Sequence, residues 1–442
     1  MTVDRRDFLS ATAFAVGAGV LASCASRGDR AEESLARLMK GGGDWDDVRA
    51  LFALDPEWTD MSAMLLTSHP KPVADAVARY RDALDKNPVV FLRDNNDRLQ
   101  EASRAAAGRY LGVAAENVAL TDSTTQSVAL VYRGLRLKPG QEVLTTAKDY
   151  YVTHEALRVA AARGDAEVRK IELYDTLDGI TADALADAVV REIRPNTRAV
   201  ALTWVHSSTG LKMPIAQIGE RMAKRNAGKS PEERVLLCVD GVHGFGNQDA
   251  TLDGLGADFL MSGCHKWIFG PRGTGIIAGR ADAWPALDPV IPSFLDSDGY
   301  GRWKRNEPPV PTTAAMVTPG GFKPFEHLWS LPEAFALHQA IGKAKVQTHT
   351  AELASQLKEG LAGMGHVTLR TPLSPELSAG IVAFDVNGAN PWDVVEHLQS
   401  KHILASVAPY RTPYVRLTPS IRNSPAEIDR ALGVIREIRA AA

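Results

Sequence analysis

The run Arg234-Val-Leu-Leu-Cys-Val-Asp240 is apolar through its middle and ends on a carboxylate. A strand that is apolar at consecutive rather than alternate positions is covered on both faces, as in the middle of a parallel sheet. Comparable runs over 142–146, 167–172, 198–205 and 257–262 alternate with helical spacing over 152–163, 181–193 and 214–227. Strands separated by helix-length segments predict an α/β fold, a mostly parallel central sheet with helices on both faces. Ligands of such sheets bind beyond the carboxyl ends of the strands, which makes Asp240 a candidate site residue.

Helical spacing over 72–86 and 96–111 and a helix opening at Thr124 come before this region. After it, a Pro-rich connection at Pro308–Pro324, helices within 328–365 and a strand-and-helix stretch to 442 predict a smaller C-terminal α+β domain. The expected division is an address segment over 1–30, an N-terminal arm over 31–60, a large domain over 61–310, and a linker with the small domain over 311–442.

Arg5 and Arg6, followed by Phe8-Leu9 and an apolar run from Ala11 to Ala22, resemble a twin-arginine export signal. The run is too short to span a bilayer comfortably. That route carries proteins already folded, so the resemblance implies a periplasmic location. Leu21-Ala22-Ser23-Cys24 resembles a lipobox, which implies a lipid anchor on Cys24; Ser23 and Ala25 suit ordinary signal peptidase equally well. Lys plus Arg number 50 against 53 for Asp plus Glu, with no block of like charge to follow a phosphate backbone, so no nucleic-acid partner is expected. Three cysteines in 442 residues cannot make a disulfide framework.

The segment Ser262-Gly-Cys-His265-Lys266-Trp267 puts a lysine just after an apolar strand, ahead of Gly270, Gly273 and Gly275. A lysine sheltered there has a lowered pKa and can form a Schiff base with an aldehyde. Asp240, one strand earlier, is placed to hold a pyridinium nitrogen protonated, and the pair points to pyridoxal phosphate. Ser123-Thr124-Thr125 opens a helix whose free N–H groups and dipole favour a phosphate; the same residues also read as a plain N-cap.

With these ordered motifs the chain, over about residues 50–440, resembles the class V aminotransferase branch of fold-type I pyridoxal phosphate enzymes. That branch includes cysteine desulfurases and isopenicillin N epimerase-like proteins. The resemblance implies Lys266 as the Schiff-base lysine, Asp240 on the ring nitrogen and His243 as a neighbouring ring contact. Ser123, Thr124, Thr125, Ser262 and His265 match the phosphate contacts. Tyr150 matches the residue over the ring, with Tyr151 and His154 as alternatives. Ser207 stands where the family often has Asn, and Arg416, followed by Asn423, matches the arginine that grips the substrate carboxylate.

Two departures bear on function. No cysteine follows Cys264, so the nucleophilic loop cysteine of desulfurases has no counterpart, and Phe322 stands where the family often has a Thr reaching the other subunit's phosphate. Upstream, Leu54-Asp55-Pro56 to Val73 runs parallel to the epimerase-like subfamily, whose usual Asn and glycines are replaced by Ser62, Met64 and Thr67. His206, His243 and His265 lack zinc-like spacing, and no metal is expected. The leading expectation is a periplasmic homodimer that transaminates or epimerises an amino acid or small peptide. A lyase or side-chain-tailoring enzyme of peptide or siderophore maturation, and a cofactor-binding protein without catalysis, are the alternatives.

Overall fold

The computed structural model describes residues 29–438. The expected export signal, with Arg5, Arg6 and Cys24, lies outside the described residues. Strands β1 (Thr59–Asp60), β2 (Val118–Thr121), β3 (Glu142–Thr146), β4 (Glu167–Ile171), β5 (Thr197–Thr203), β6 (Leu236–Asp240), β7 (Phe259–Gly263) and β8 (Gly275–Gly279) precede the Pro-rich connection. Strands β9 (Val367–Leu369), β10 (Val382–Val386), β11 (Ile403–Leu404), β12 (Ser406–Val407) and β13 (Val415–Leu417) follow it.

Among the described residues the large sheet runs β2-β8-β7-β6-β5-β3-β4. Its members from β7 to β4 are parallel, and every residue of β6 is buried, as its apolar sequence requires. β8 is antiparallel to both β2 and β7. Sequence patterning assigned neither β2 nor β8, because Gly275-Ile-Ile-Ala-Gly279 is short and bounded by glycines, and so reads as more of the glycine loop before it. The insertion matters for the site: β8 lies between β2 and β7 and brings the helix that follows β2 to the carboxyl end of β7.

The helix expected from 96 begins earlier, at Pro88, and runs to Leu111. Proline is tolerated at its first turn and Asn87 caps it, which extends the helix beyond its periodic part. The arm is a helix over 29–39 and a second helix, Trp45–Ala50, closed by a capping box at Asp44. The first of these crosses residue 30, where the address segment was expected to end. Ala31, Leu38, Val48 and Leu51 of the arm pack with Phe269, Leu337, Ile341 and Ile421. Leu331, Ala334 and Phe335 join the core beneath the large sheet, and the core of the small domain is built from Leu353 onward with Met61 added from the N-terminal side. The small sheet, β12-β13-β10-β9, is antiparallel throughout. β1 pairs in parallel with β11, fastening the arm to the C-terminal region.

Candidate active site

The parallel strands of the large sheet end side by side, and the segments that leave those ends build the site. Asp240 is the last residue of β6; it is buried, and its Oδ1 accepts from the Val242 N–H at 3.0 Å. Burial pushes its carboxyl up to about 6, against the pull of that hydrogen bond and of Lys266. Lys266 leaves β7 in a tight turn. The Phe269 N–H donates to its carbonyl at 3.0 Å, the Gly270 N–H to that of Cys264 at 2.8 Å, and Phe269 takes φ 58°. Burial lowers the Lys266 amine to about 8, with Asp240 acting in the opposite sense. His243 is buried, accepts from the Trp267 indole at 3.3 Å, and is held well below the usual imidazole range by desolvation and then by Lys266.

On the other side of β7, Ser123 caps the helix Thr124–Gly134, its Oγ accepting from the Gln126 N–H at 3.2 Å. The Gly263 N–H donates to Thr124 Oγ1 at 2.7 Å. A Cβ on Gly263 would fall 2.8 Å from the His265 ring and 3.0 Å from Thr124 Oγ1, so only glycine lets these pieces close into a cradle. His265 Nδ1 is buried there without a hydrogen-bond partner.

Tyr150 lies at the N-terminus of the helix Tyr151–Gly164 and faces the same cavity. The two alternatives in its register do not: Tyr151 is 69% exposed, and the His154 ring is 2.8 Å from the Thr146 carbonyl. Arg416, on β13, is 2% exposed. Its guanidinium donates to Ser406 Oγ at 3.2 Å and to the carbonyls of Ser207 and Val407 at 2.7 and 2.9 Å. None of these partners is a carboxylate, and burial lowers its pKa to about 10. A buried guanidinium neutralised by no acid is suited to receive one from outside.

Asp240, His243, Lys266, Arg416, Tyr150 and Ser207, with Ser123, Thr124, Thr125 and His265, line one cavity of about 300 Å³. Ser262 is a correction. It is fully buried within β7, its hydroxyl donates to the Gly263 carbonyl at 3.0 Å, and it does not line the cavity. Asn423 is also elsewhere: its side chain accepts from the Ser420 N–H and donates to the Asp60 carbonyl, both at 3.0 Å, holding a turn.

Several residues that sequence reasoning passed over belong here. Asp149, buried, accepts from Thr145 Oγ1, the Thr146 N–H and the Thr203 N–H at 2.9, 2.8 and 2.7 Å, and so fixes the strand ends around Tyr150. Tyr410 meets Ser207 Oγ at 2.8 Å, and its ring lies 5.6 Å from that of Tyr150. Met64, Leu65, Val152 and Pro409 give the cavity an apolar wall. Single residues in loops carry no periodic signal, and only the Lys148-Asp149-Tyr150 neighbourhood offered a hint.

The profile described as Aminotransferase class-V matches residues 66–408. The chain belongs to the class V aminotransferase family. Isopenicillin N epimerase of Streptomyces clavuligerus is 27% identical over 397 residues, covering 88% of this chain and 96% of that protein. A probable cysteine desulfurase of Pyrococcus abyssi is 27% identical over 417 residues, covering 89% and 97%. Among solved structures, a lysine variant of C-DES with glycine covalently linked to its pyridoxal phosphate superposes with TM-score 0.78 at 21% identity, covering 88% of this chain and 99% of that one. Cysteine desulfurase from Thermococcus onnurineus gives TM-score 0.74 at 21% identity, covering 89% and 97%. The fold is that of fold-type I enzymes, as expected.

Pyridoxal phosphate is the cofactor of this class V family, and the cavity fits it. The Gly263 cradle, the orphaned His265 Nδ1 and the helix N-terminus suit a phosphate, and Thr203 Oγ1 is a second buried polar atom without a partner in the wall. A carboxylate and an amine lie beyond them, as a pyridine nitrogen and an aldehyde require.

Proposed function

We propose that this class V enzyme acts on the amino group or α carbon of an amino acid or small peptide, by transamination or epimerisation, as an exported periplasmic homodimer. The observation that carries the reading is the meeting of the buried Lys266, Asp240 and acid-free Arg416 in one cavity. Ser123, Thr124, Thr125 and His265 would hold the phosphate, Tyr150 the ring face, and Asp240 the ring nitrogen. When bound, pyridoxal phosphate supplies a sink for the electron pair left at the substrate's α carbon.

The chain's own groups do the rest. Arg416 takes the substrate carboxylate and so fixes the α carbon relative to Lys266. With its pKa lowered to about 8, Lys266 is partly neutral near neutral pH and able to accept a proton from that carbon. Desolvation by the cavity wall keeps Asp240 a strong proton partner. The wall of Met64, Leu65, Val152 and Pro409 favours an uncharged substrate side chain.

Incubation of the loaded enzyme with a panel of amino acids in heavy water tests the reading. Exchange of the α proton, with a keto acid or the opposite enantiomer as product, is the expected result. Absence of exchange with every amino acid and short peptide would overturn it, and elimination products would favour the lyase alternative. Persulfide chemistry has no support: among the described residues the cysteines are Cys238 and Cys264, both buried, with Cys264 pushed up to about 12 by burial.

Export and assembly are part of the proposal. The paired arginines support a route that moves loaded, folded protein, so Arg5→Lys with Arg6→Lys should leave active enzyme in the cytoplasm; active enzyme still arriving in the periplasm would refute that route. Phe294, Trp303 and Phe322, exposed by 75%, 72% and 84%, support a surface covered by a second copy.

A further inference from the structure

Thr67 is 2% exposed, and its hydroxyl lies 2.9 Å from the carbonyl oxygen of His265 and 3.2 Å from that of Lys266. The Lys266 carbonyl already accepts from the Phe269 N–H inside the turn. The His265 carbonyl does not share in those turn bonds, and Thr67 is the donor that the described residues offer it. This carbonyl belongs to the planar peptide joining His265 to Lys266, so any rotation of it swings the bond from which the lysine side chain departs.

The segment that carries Thr67 is anchored at its start. The Met61 carbonyl accepts from both the N–H and the hydroxyl of Thr418 at 2.8 Å, and Asp60 pairs with the buried Arg422 at 2.9 Å. Thr418 follows Arg416 by two positions. The segment 61–67 thus runs as a strap from the strand of the substrate arginine to the loop of the lysine, laying Met64 and Leu65 along the cavity on the way. A glycine of the epimerase-like pattern in this stretch would have no hydroxyl to give.

We propose that Thr67 is a positioning residue for Lys266: its hydroxyl fixes the peptide before the lysine and thereby the direction in which the amine enters the cavity. The proposal rests on the reading of Lys266 as the cofactor-bearing lysine. Loss of the donor leaves a buried carbonyl unpaired, and the turn relaxes to find water.

The test compares Thr67→Val, which keeps the shape and removes the hydroxyl, with Thr67→Ser, which keeps the hydroxyl. Each protein is loaded with pyridoxal 5'-phosphate and its visible absorption is titrated with pH. For Thr67→Val the midpoint should move by up to about 1 pH unit, and kcat should fall about tenfold with KM nearly unchanged. Thr67→Ser should restore both. A Thr67→Val protein indistinguishable from wild type, or Thr67→Ser as impaired as Thr67→Val, overturns the proposal. Should Thr67→Val not fold, Thr67→Cys, a weaker donor of similar size, should itself move the midpoint measurably from that of the wild-type protein, and wild-type behaviour from it overturns the proposal equally. A wild-type protein that shows no lysine-linked band at all sinks the reading of Lys266, a result distinct from the others.

Discussion

Lys266→Ala, purified with pyridoxal phosphate, will lack the absorption band of lysine-linked cofactor and will turn over substrate at least about 10⁴-fold more slowly. The size of the effect follows from the cavity. Among the described residues Lys266 is the lysine of its wall, so no second amine stands ready to take over. Its burial also disfavours its own charge, and deletion removes a desolvated group without stripping Asp240 of its hydrogen bond to the Val242 N–H. The variant should therefore melt within a few degrees of the wild-type protein without cofactor, which separates lost chemistry from lost folding. Added methylamine should recover part of the rate by supplying an amine to the space left behind. Retention of the band would place the linkage on another residue.

The second large effect belongs to Arg416. Arg416→Gln should lower kcat/KM by about 10²–10³-fold, mostly through KM, because a charge-assisted pair with the substrate carboxylate is lost in both ground and transition states. Arg416→Lys should recover little of this. A single ammonium cannot serve Ser406 Oγ and the carbonyls of Ser207 and Val407 while still presenting two parallel donors to a carboxylate. Steady-state kinetics on any amino acid that exchanges its α proton provide the measurement. An unchanged KM in both variants would move the carboxylate site elsewhere.

Much of this architecture was legible because its signals are periodic or chemically extreme. The apolar run ending at Asp240 announced a covered strand with a functional end, and Lys266 beside glycines announced a sheltered amine. What escaped had neither quality. β8 is Gly-Ile-Ile-Ala-Gly, too brief to show a period, and its antiparallel insertion follows from pairing that no local pattern encodes. Tyr410 and Thr67 are lone residues in irregular segments whose meaning lies in what they touch across the chain. Ser262 was misplaced because successive positions near a strand end differ in the direction they face, and the cradle closes around the backbone of Gly263 instead.

The pairing of β1 with β11 sets a timetable. Thr59 and Asp60 leave the ribosome before any strand of the large sheet, yet their partners, Ile403 and Leu404, emerge only after the last of those strands and the Pro-rich connection. Until then Met61 has no Thr418 to hold, and the wall carrying Met64 and Thr67 has nothing to lean against. Completion of the substrate side thus waits for the C-terminal strands, and a nascent fragment ending before them would have its lysine and aspartate in place but its substrate side unbuilt.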